Sequence, residues 1–304
     1  MKHFVSLKNF TKEQVFHIFE LTKQIKLNPS KFSVVLRDRY IGLLFEKPSL
    51  RTRVSFEVGI RKLGGDSIYL SDKEVQFGKR ESVSDIAKTL SGYLDAVVLR
   101  TFSHKALLEF AESSNLAVIN GLTDMLHPAQ VLSDLFTIYE KKADLEKLKI
   151  SFIGDGNNIC HSLMFGTAVL GLNLAVANPQ GFKPDKNITK VALEIAGKTK
   201  GRIEFFSKPK PAVKDSDVVY TDVWVSMGKE KEADLRRKVF KDFQVNSDII
   251  KEARKNCLVL HCLPAHRGEE ITDDVIDGSN SVVFQQAKNR LYVQMAVLAW
   301  LFSE

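Results

Sequence analysis

The run FEKPSLRTRVSFE, Phe45 to Glu57, puts Ser49, Arg51, Thr52 and Arg53 between an apolar segment and an amphipathic one. Upstream, RYIGLLF is short, apolar and bounded, as a buried strand should be; downstream, Val54, Phe56, Val58, Ile60 and Leu63 lead a helical stretch that stops at Gly64-Gly65. The polar turn therefore falls at a helix N-terminus, where the first N–H groups lack internal partners and the helix dipole leaves partial positive charge. Ser49 and Thr52 add hydroxyl donors, and Arg51 adds a planar fork that matches phosphate oxygens, so the turn reads as a phosphate cradle. The plainer reading is that Ser49 caps the helix and both arginines are solvated; the turn alone does not separate the two.

Further polar clusters follow expected strand ends. LRTFSH carries Arg100 out of an apolar strand, and in open parallel sheets ligands gather beyond the carboxyl ends of strands. HPAQ sets Pro128 at a first helical position, which fixes His127 and Gln130 near another helix start; a capping or solvated histidine is the bland alternative. FIGDGNNICHS reads as strand, glycine turn and helix, which suggests a dinucleotide fold. The fingerprint is incomplete, because Ile159 stands where its third glycine belongs and no acid closes the next strand, NLAVAN. YTDVWVSMG places Asp222, Ser226 and Met227 past a strand, and LHCLPAHRGEEI does the same with His261 and Cys262, although a cysteine there could simply pack.

These clusters need elements to position them. After a helix at about Thr11 to Leu27, strand and helix signals alternate, which predicts parallel sheets covered by helices. Strands are expected near Tyr40–Phe45, Asp66–Leu70, Ala96–Arg100, Ala117–Asn120, Lys149–Gly154, Asn173–Ala177, Arg202–Phe206, Val218–Thr221, Leu258–His261 and Val282–Phe284. The charged end of the helix Pro128 to Lys142 is the expected domain boundary, with four strands before it and six after. Lys229 to Lys241, rich in lysine and glutamate, reads as a mobile flap, and the apolar last segment, QQAKNRLYVQMAVLAWLF, should dock rather than hang free.

Composition narrows the classes. With 304 residues, 44% hydrophobic and 27% charged, the chain suits a two-domain globular protein. No window has the apolar length of a membrane span, and the charged, interrupted N-terminal run does not read as a signal peptide, so a cytoplasmic protein off the membrane is expected. Three cysteines without metal-type spacing indicate neither a disulfide framework nor a zinc site. The net charge of +7 is spread over lysines without interleaved aromatics, which favours an anionic small substrate over nucleic acid.

Taken in order, KPSLRTR, LRT, HPAQ, GDGNN, DVWVSMG and HCLP resemble the motif set of the aspartate/ornithine carbamoyltransferase superfamily across nearly the whole chain, and the last two resemble its ornithine branch. The resemblance implies an α/β fold of two domains, each a mostly parallel sheet flanked by helices. Residues 1–143 would take carbamoyl phosphate, with the C-terminal helix 286–304 packing back on them, and residues 144–285 would take L-ornithine. The implied reaction moves the carbamoyl group to the δ-amine of ornithine, giving citrulline and phosphate, in arginine biosynthesis or the reverse, with no metal or cofactor. Other acceptors, such as putrescine or N-acetylornithine, are the alternative; a putrescine enzyme would have no use for groups that hold an amino acid's head.

By that resemblance Ser49, Arg51, Thr52 and the Leu50 backbone hold the phosphate with Arg100, while His127 and Gln130 face the carbamoyl group. Leu50 departs from the family, which commonly has Thr or Gly there. Gln76, in VQFGKRES, would reach into a neighbour's site in a homotrimer. Asn158, Asp222, Ser226 and Met227 would hold ornithine, and Cys262, Leu263 and Arg290 would line the reaction centre. Arg100, His127, Asp222, Cys262 and Arg290 form the expected catalytic set.

Overall fold

The computed structural model describes residues 2–142, 145–226 and 228–303. The chain packs as two units, one of residues 1–133 with 288–304 and one of residues 134–287. The expected boundary at Ala143 and Asp144 lies outside the described residues.

The first unit holds strands β1 (Tyr40–Phe45), β2 (Asp66–Ser71), β3 (Ala96–Arg100) and β4 (Ala117–Leu122), all parallel, in the order β2-β1-β3-β4. β1 and β3 are buried almost throughout, as strands covered on both faces must be. The helix Lys12–Leu27 starts at a capping box in which Thr11 and Gln14 exchange hydrogen bonds. The final helix, Val283–Phe302, joins this unit from Lys288 onward, and Lys26 of the opening helix donates to Asn289 Oδ1 at 2.9 Å.

The second unit holds β5 (Lys149–Ile153), β6 (Asn173–Ala177), β7 (Arg202–Phe206), β8 (Val218–Thr221) and β9 (Leu258–His261), parallel, in the order β7-β6-β5-β8-β9. The helix Asn158–Leu170 is buried almost all round, and most of its residues are accordingly apolar, with His161, Ser162 and Thr167 buried among them.

One expectation needs correction. The tenth strand at Val282–Phe284 is absent: Ser281 makes an isolated bridge to Val259, and from Val283 the chain is already helical. A β-branched pair at a helix start imitates a strand in sequence. The segment from Lys229 to Lys241, expected as a flap, is built from a 3₁₀ turn, Glu230–Glu232, and the helix Ala233–Phe240, which buries Arg236 and Phe240. No described helix is long and apolar enough to cross a membrane.

Candidate active site

Each sheet reverses its strand order once. In the first, β1 connects outward to β2 and the chain returns to β3 on the other side; in the second, the same break falls between β5 and β8. Such a switch point leaves a crevice beyond the carboxyl ends of the two strands. The polar clusters sit there in both units.

In the first unit Phe45 pairs with Arg100, so β1 and β3 end level. Beyond β1, Ser49 caps the helix Leu50–Lys62 and accepts from the Thr52 N–H at 3.3 Å. The Thr52 hydroxyl is buried and accepts from Arg290 Nη2 at 2.8 Å, which brings an arginine of the last helix onto the turn. Arg53 belongs to the helix's own structure, bonding Glu57 at 2.9 Å and lying 3.7 Å over the Tyr69 ring. For Arg53 the bland reading holds. Leu50 is 75% exposed, so what it offers an anion is its backbone N–H.

Arg100 is buried, and so are His127 and Gln130 at the start of the helix Pro128–Lys142, where Gln130 donates its N–H to the His127 carbonyl at 3.2 Å. Burial, reinforced by the charges of Arg290 and Arg100, pushes the His127 imidazole well below its ordinary pKa of 6.5. It therefore stays neutral at physiological pH and can polarise a carbonyl as an N–H donor. Two groups escaped the sequence reading. Glu46 accepts from the Thr101 hydroxyl and the Phe102 N–H, latching the two strand ends together, and buried Lys47 lies 3.9 Å over the Phe102 ring. Gln76 stands in an exposed left-handed turn, φ 48°, and no side-chain hydrogen bond joins it to the phosphate turn among the described residues.

In the second unit β5 runs into Gly154-Asp155-Gly156-Asn157. Gly154 has φ of +139°, and a Cβ on Gly156 would meet the Pro184 nitrogen at 2.3 Å. Both glycines thus answer to the chain's own folding rather than to a cofactor's phosphates. Asn157 fills the helix start, its Oδ1 accepting from the N–H groups of Ile159 and Cys160 at 3.0 and 3.2 Å. Its Nδ2 donates to Asp222 Oδ2 at 2.7 Å. The dinucleotide reading fails on this geometry, and Asn157 joins the site beside the expected Asn158, the first residue of the helix.

Thr221 pairs with His261, which sets the next residues, Asp222 and Cys262, side by side. The Cys262 thiol donates to Asp222 Oδ1 at 3.0 Å. Both oxygens of a buried carboxylate are so held by neutral donors. Behind Cys262, His261 Nδ1 accepts from the Leu263 N–H at 2.9 Å, which puts the ring proton on Nε2, 3.0 Å from buried Glu270 Oε1. The His261 N–H donates to Gln286, which donates to Asp134, which also accepts from the Tyr220 hydroxyl. Asp222, His261 and Cys262 could by proximity hold a metal ion. Both ring nitrogens of His261 are already engaged, so the trio is a hydrogen-bond network.

Ser226 is half-buried on the loop after Asp222, and Met227 lies outside the described residues. That loop is tied down by Arg236, missed in the sequence because it sits in a run of lysines and glutamates. Its guanidinium donates to Asp155 Oδ2 at 2.7 Å, to the Trp224 carbonyl at 2.9 Å and to Glu232 at 2.8 Å. Burial raises the Asp155 pKa, and Arg236 opposes the rise.

Residues 2–140 match the family model of the carbamoyl-P binding domain of aspartate/ornithine carbamoyltransferases, and residues 146–301 match the Asp/Orn binding domain. The chain is 47% identical over 297 residues to an ornithine carbamoyltransferase of Pyrococcus horikoshii, covering 97% of this chain and 94% of that one. It superposes on the ornithine carbamoyltransferase structure from Pyrococcus furiosus with a TM-score of 0.95 at 45% identity, covering 98% and 96% of the two chains. The anabolic ornithine carbamoyltransferase of Campylobacter jejuni also gives 0.95, at 39% identity and 99% coverage of each chain. Two domains, their order along the chain and the motifs at both switch points agree: the chain belongs to the aspartate/ornithine carbamoyltransferase family.

Proposed function

We propose that the chain transfers the carbamoyl group of carbamoyl phosphate to the δ-amine of L-ornithine, giving L-citrulline and phosphate. The observation that carries the choice of acceptor is Asp222, a buried carboxylate at the second switch point with Asn157 and Cys262 on its oxygens. It suits an acceptor with amines and repels the extra carboxylate of aspartate. The names of the similar proteins support the same acceptor.

The phosphate is held at the helix start by Ser49, the Leu50 backbone, Arg51 and Thr52, with Arg100. His127 and Gln130 face the carbamoyl oxygen, where a neutral imidazole and the nearby guanidiniums of Arg100 and Arg290 stabilise the charge that builds as the amine attacks. Asn158, Asp222, Ser226 and Met227 hold ornithine, and Cys262 and Leu263 line the reacting end. The amine must be neutral to attack, and the departing phosphate takes its proton. No step needs a metal or cofactor.

Residues 1–143 with 286–304 make up the carbamoyl-phosphate domain and 144–285 the ornithine domain. We infer a homotrimer in which Gln76, exposed on its own chain, reaches a neighbour's site. Three unbridged cysteines suit the reducing cytoplasm. The similarity to anabolic enzymes supports the citrulline-forming direction.

The test is citrulline formation by the purified protein from carbamoyl phosphate and L-ornithine, with L-aspartate, N-acetyl-L-ornithine and putrescine in parallel. Turnover with ornithine alone is expected. Turnover with another acceptor would overturn the reading of Asp222 and keep that of the first unit.

A further inference from the structure

We propose that His266, Glu269 and Glu270 form a binding site for a divalent cation of the zinc type. One donor atom from each lies within 4.8 Å of the other two. The stronger observation concerns the oxygens. Each carboxylate is fixed through one oxygen and leaves the other buried without a hydrogen bond. Glu269 Oε1 accepts from Arg237 Nε at 2.9 Å, and Glu270 Oε1 accepts from His261 Nε2 at 3.0 Å and the His266 N–H at 2.6 Å. Glu269 Oε2 and Glu270 Oε2 have no partner, and the Glu270 side chain is 0% exposed.

A buried carboxylate oxygen without a donor is costly, and a bound cation removes that cost for both at once. His266 Nδ1 stands 3.9 Å from Glu269 Oε2. That is too long for a hydrogen bond, yet it is the span of an ion about 2.1 Å from each. Carboxylates oriented through their second oxygen are what metal ligands require. The loop is also pre-shaped: Gly268 donates its N–H to the Ile271 carbonyl and Glu269 to that of His266, while Arg267 is clamped by Asp273 and Asp277. One imidazole with two carboxylates suits zinc and its first-row neighbours better than calcium or magnesium. Glu270 links the site to the substrate residues through its hydrogen bond with His261.

The experiment is calorimetric titration of untagged, chelator-treated protein with Zn²⁺, and a parallel Co²⁺ titration followed by absorbance. His266→Ala removes a half-exposed ligand without touching the core, and Cys262→Ala removes the one accessible thiol near Asp222. One equivalent should bind to the parent and to Cys262→Ala, at least tenfold more weakly to His266→Ala, and the cobalt spectrum should show no thiolate-to-metal band. Metal-free His266→Ala should turn over like the parent. No saturable binding, equal affinity in His266→Ala, or binding that disappears with Cys262 and carries a thiolate band would each overturn the proposal.

Discussion

The two switch points use one topological device with opposite chemistry. In the first unit the crevice beyond β1 and β3 is built from a helix N-terminus and arginines, so it is made for an anion. In the second, the corresponding helix N-terminus is already occupied by the chain's own Asn157, and a carboxylate and a thiol face the crevice beyond β5 and β8. The same turn between strand and helix suits an anion where its cap takes one N–H and arginines stand near, and suits an amine-bearing molecule where the cap takes two and a carboxylate stands near. Topology fixes where a ligand goes. The cap residue and its neighbours fix which one.

The sharpest way to break that comparison is Arg51→Ala. Loss of a charged contact to a developing anion costs about 3 kcal/mol, or roughly a hundredfold in rate. We expect kcat/KM for carbamoyl phosphate to fall by that order with the circular dichroism spectrum unchanged; unaltered kinetics would remove the anion assignment from the first unit.

A smaller effect should follow from Arg236→Met on the opposite side. Arg236 touches Asp155 and the Trp224 carbonyl but none of the residues proposed to bind substrate, so its loss should raise KM for ornithine roughly tenfold, about 1.4 kcal/mol, and leave KM for carbamoyl phosphate alone. Arg236→Lys should recover part of it. A change shared equally by both substrates would mean that Arg236 only stabilises the fold.

Gly156→Ala probes the second turn directly. The added methyl meets backbone at Pro184, and overpacking of this kind costs about 1–3 kcal/mol, to be read as a lower urea midpoint. If stability is unchanged, the glycine has another reason to be there, and a cofactor reading of GDGNN returns.

The mildest prediction concerns His127. Its folded pKa is depressed, so the unfolded chain takes up its proton first as pH falls. The contribution to stability is therefore full above the ordinary value of 6.5 and is lost progressively below it. A carbon-13 label in the histidine rings should show His127 neutral throughout the physiological range; a mid-point near neutrality would deny the neutral donor.

Much of this was legible in the sequence because central strands such as β1, β3, β5 and β8 are short apolar runs buried almost throughout, while the edge strands β2 and β7, only partly buried, were still marked by the alternation of strand and helix signals. Val282–Phe284 failed as a strand because β-branched residues at a helix start leave the same trace. Asp222 was readable because it stands one residue beyond a strand, and Ser49 because it stands between a strand's end and a helix's start. Glu270, Arg236 and Lys47 were not, since a charged residue in a charged run shows its role only when burial and partners are known. Asn157 was overshadowed by Asn158, its neighbour in the same motif.

The hydrogen bond from Arg290 to Thr52 joins residues 238 positions apart. A growing chain on the ribosome has its Ser-Leu-Arg-Thr turn early, yet that turn acquires its last arginine only when the final helix has been synthesised and has folded back. A chain that has not yet folded that helix back lacks one partner of this turn, so carbamoyl phosphate binding should report whether the helix has docked.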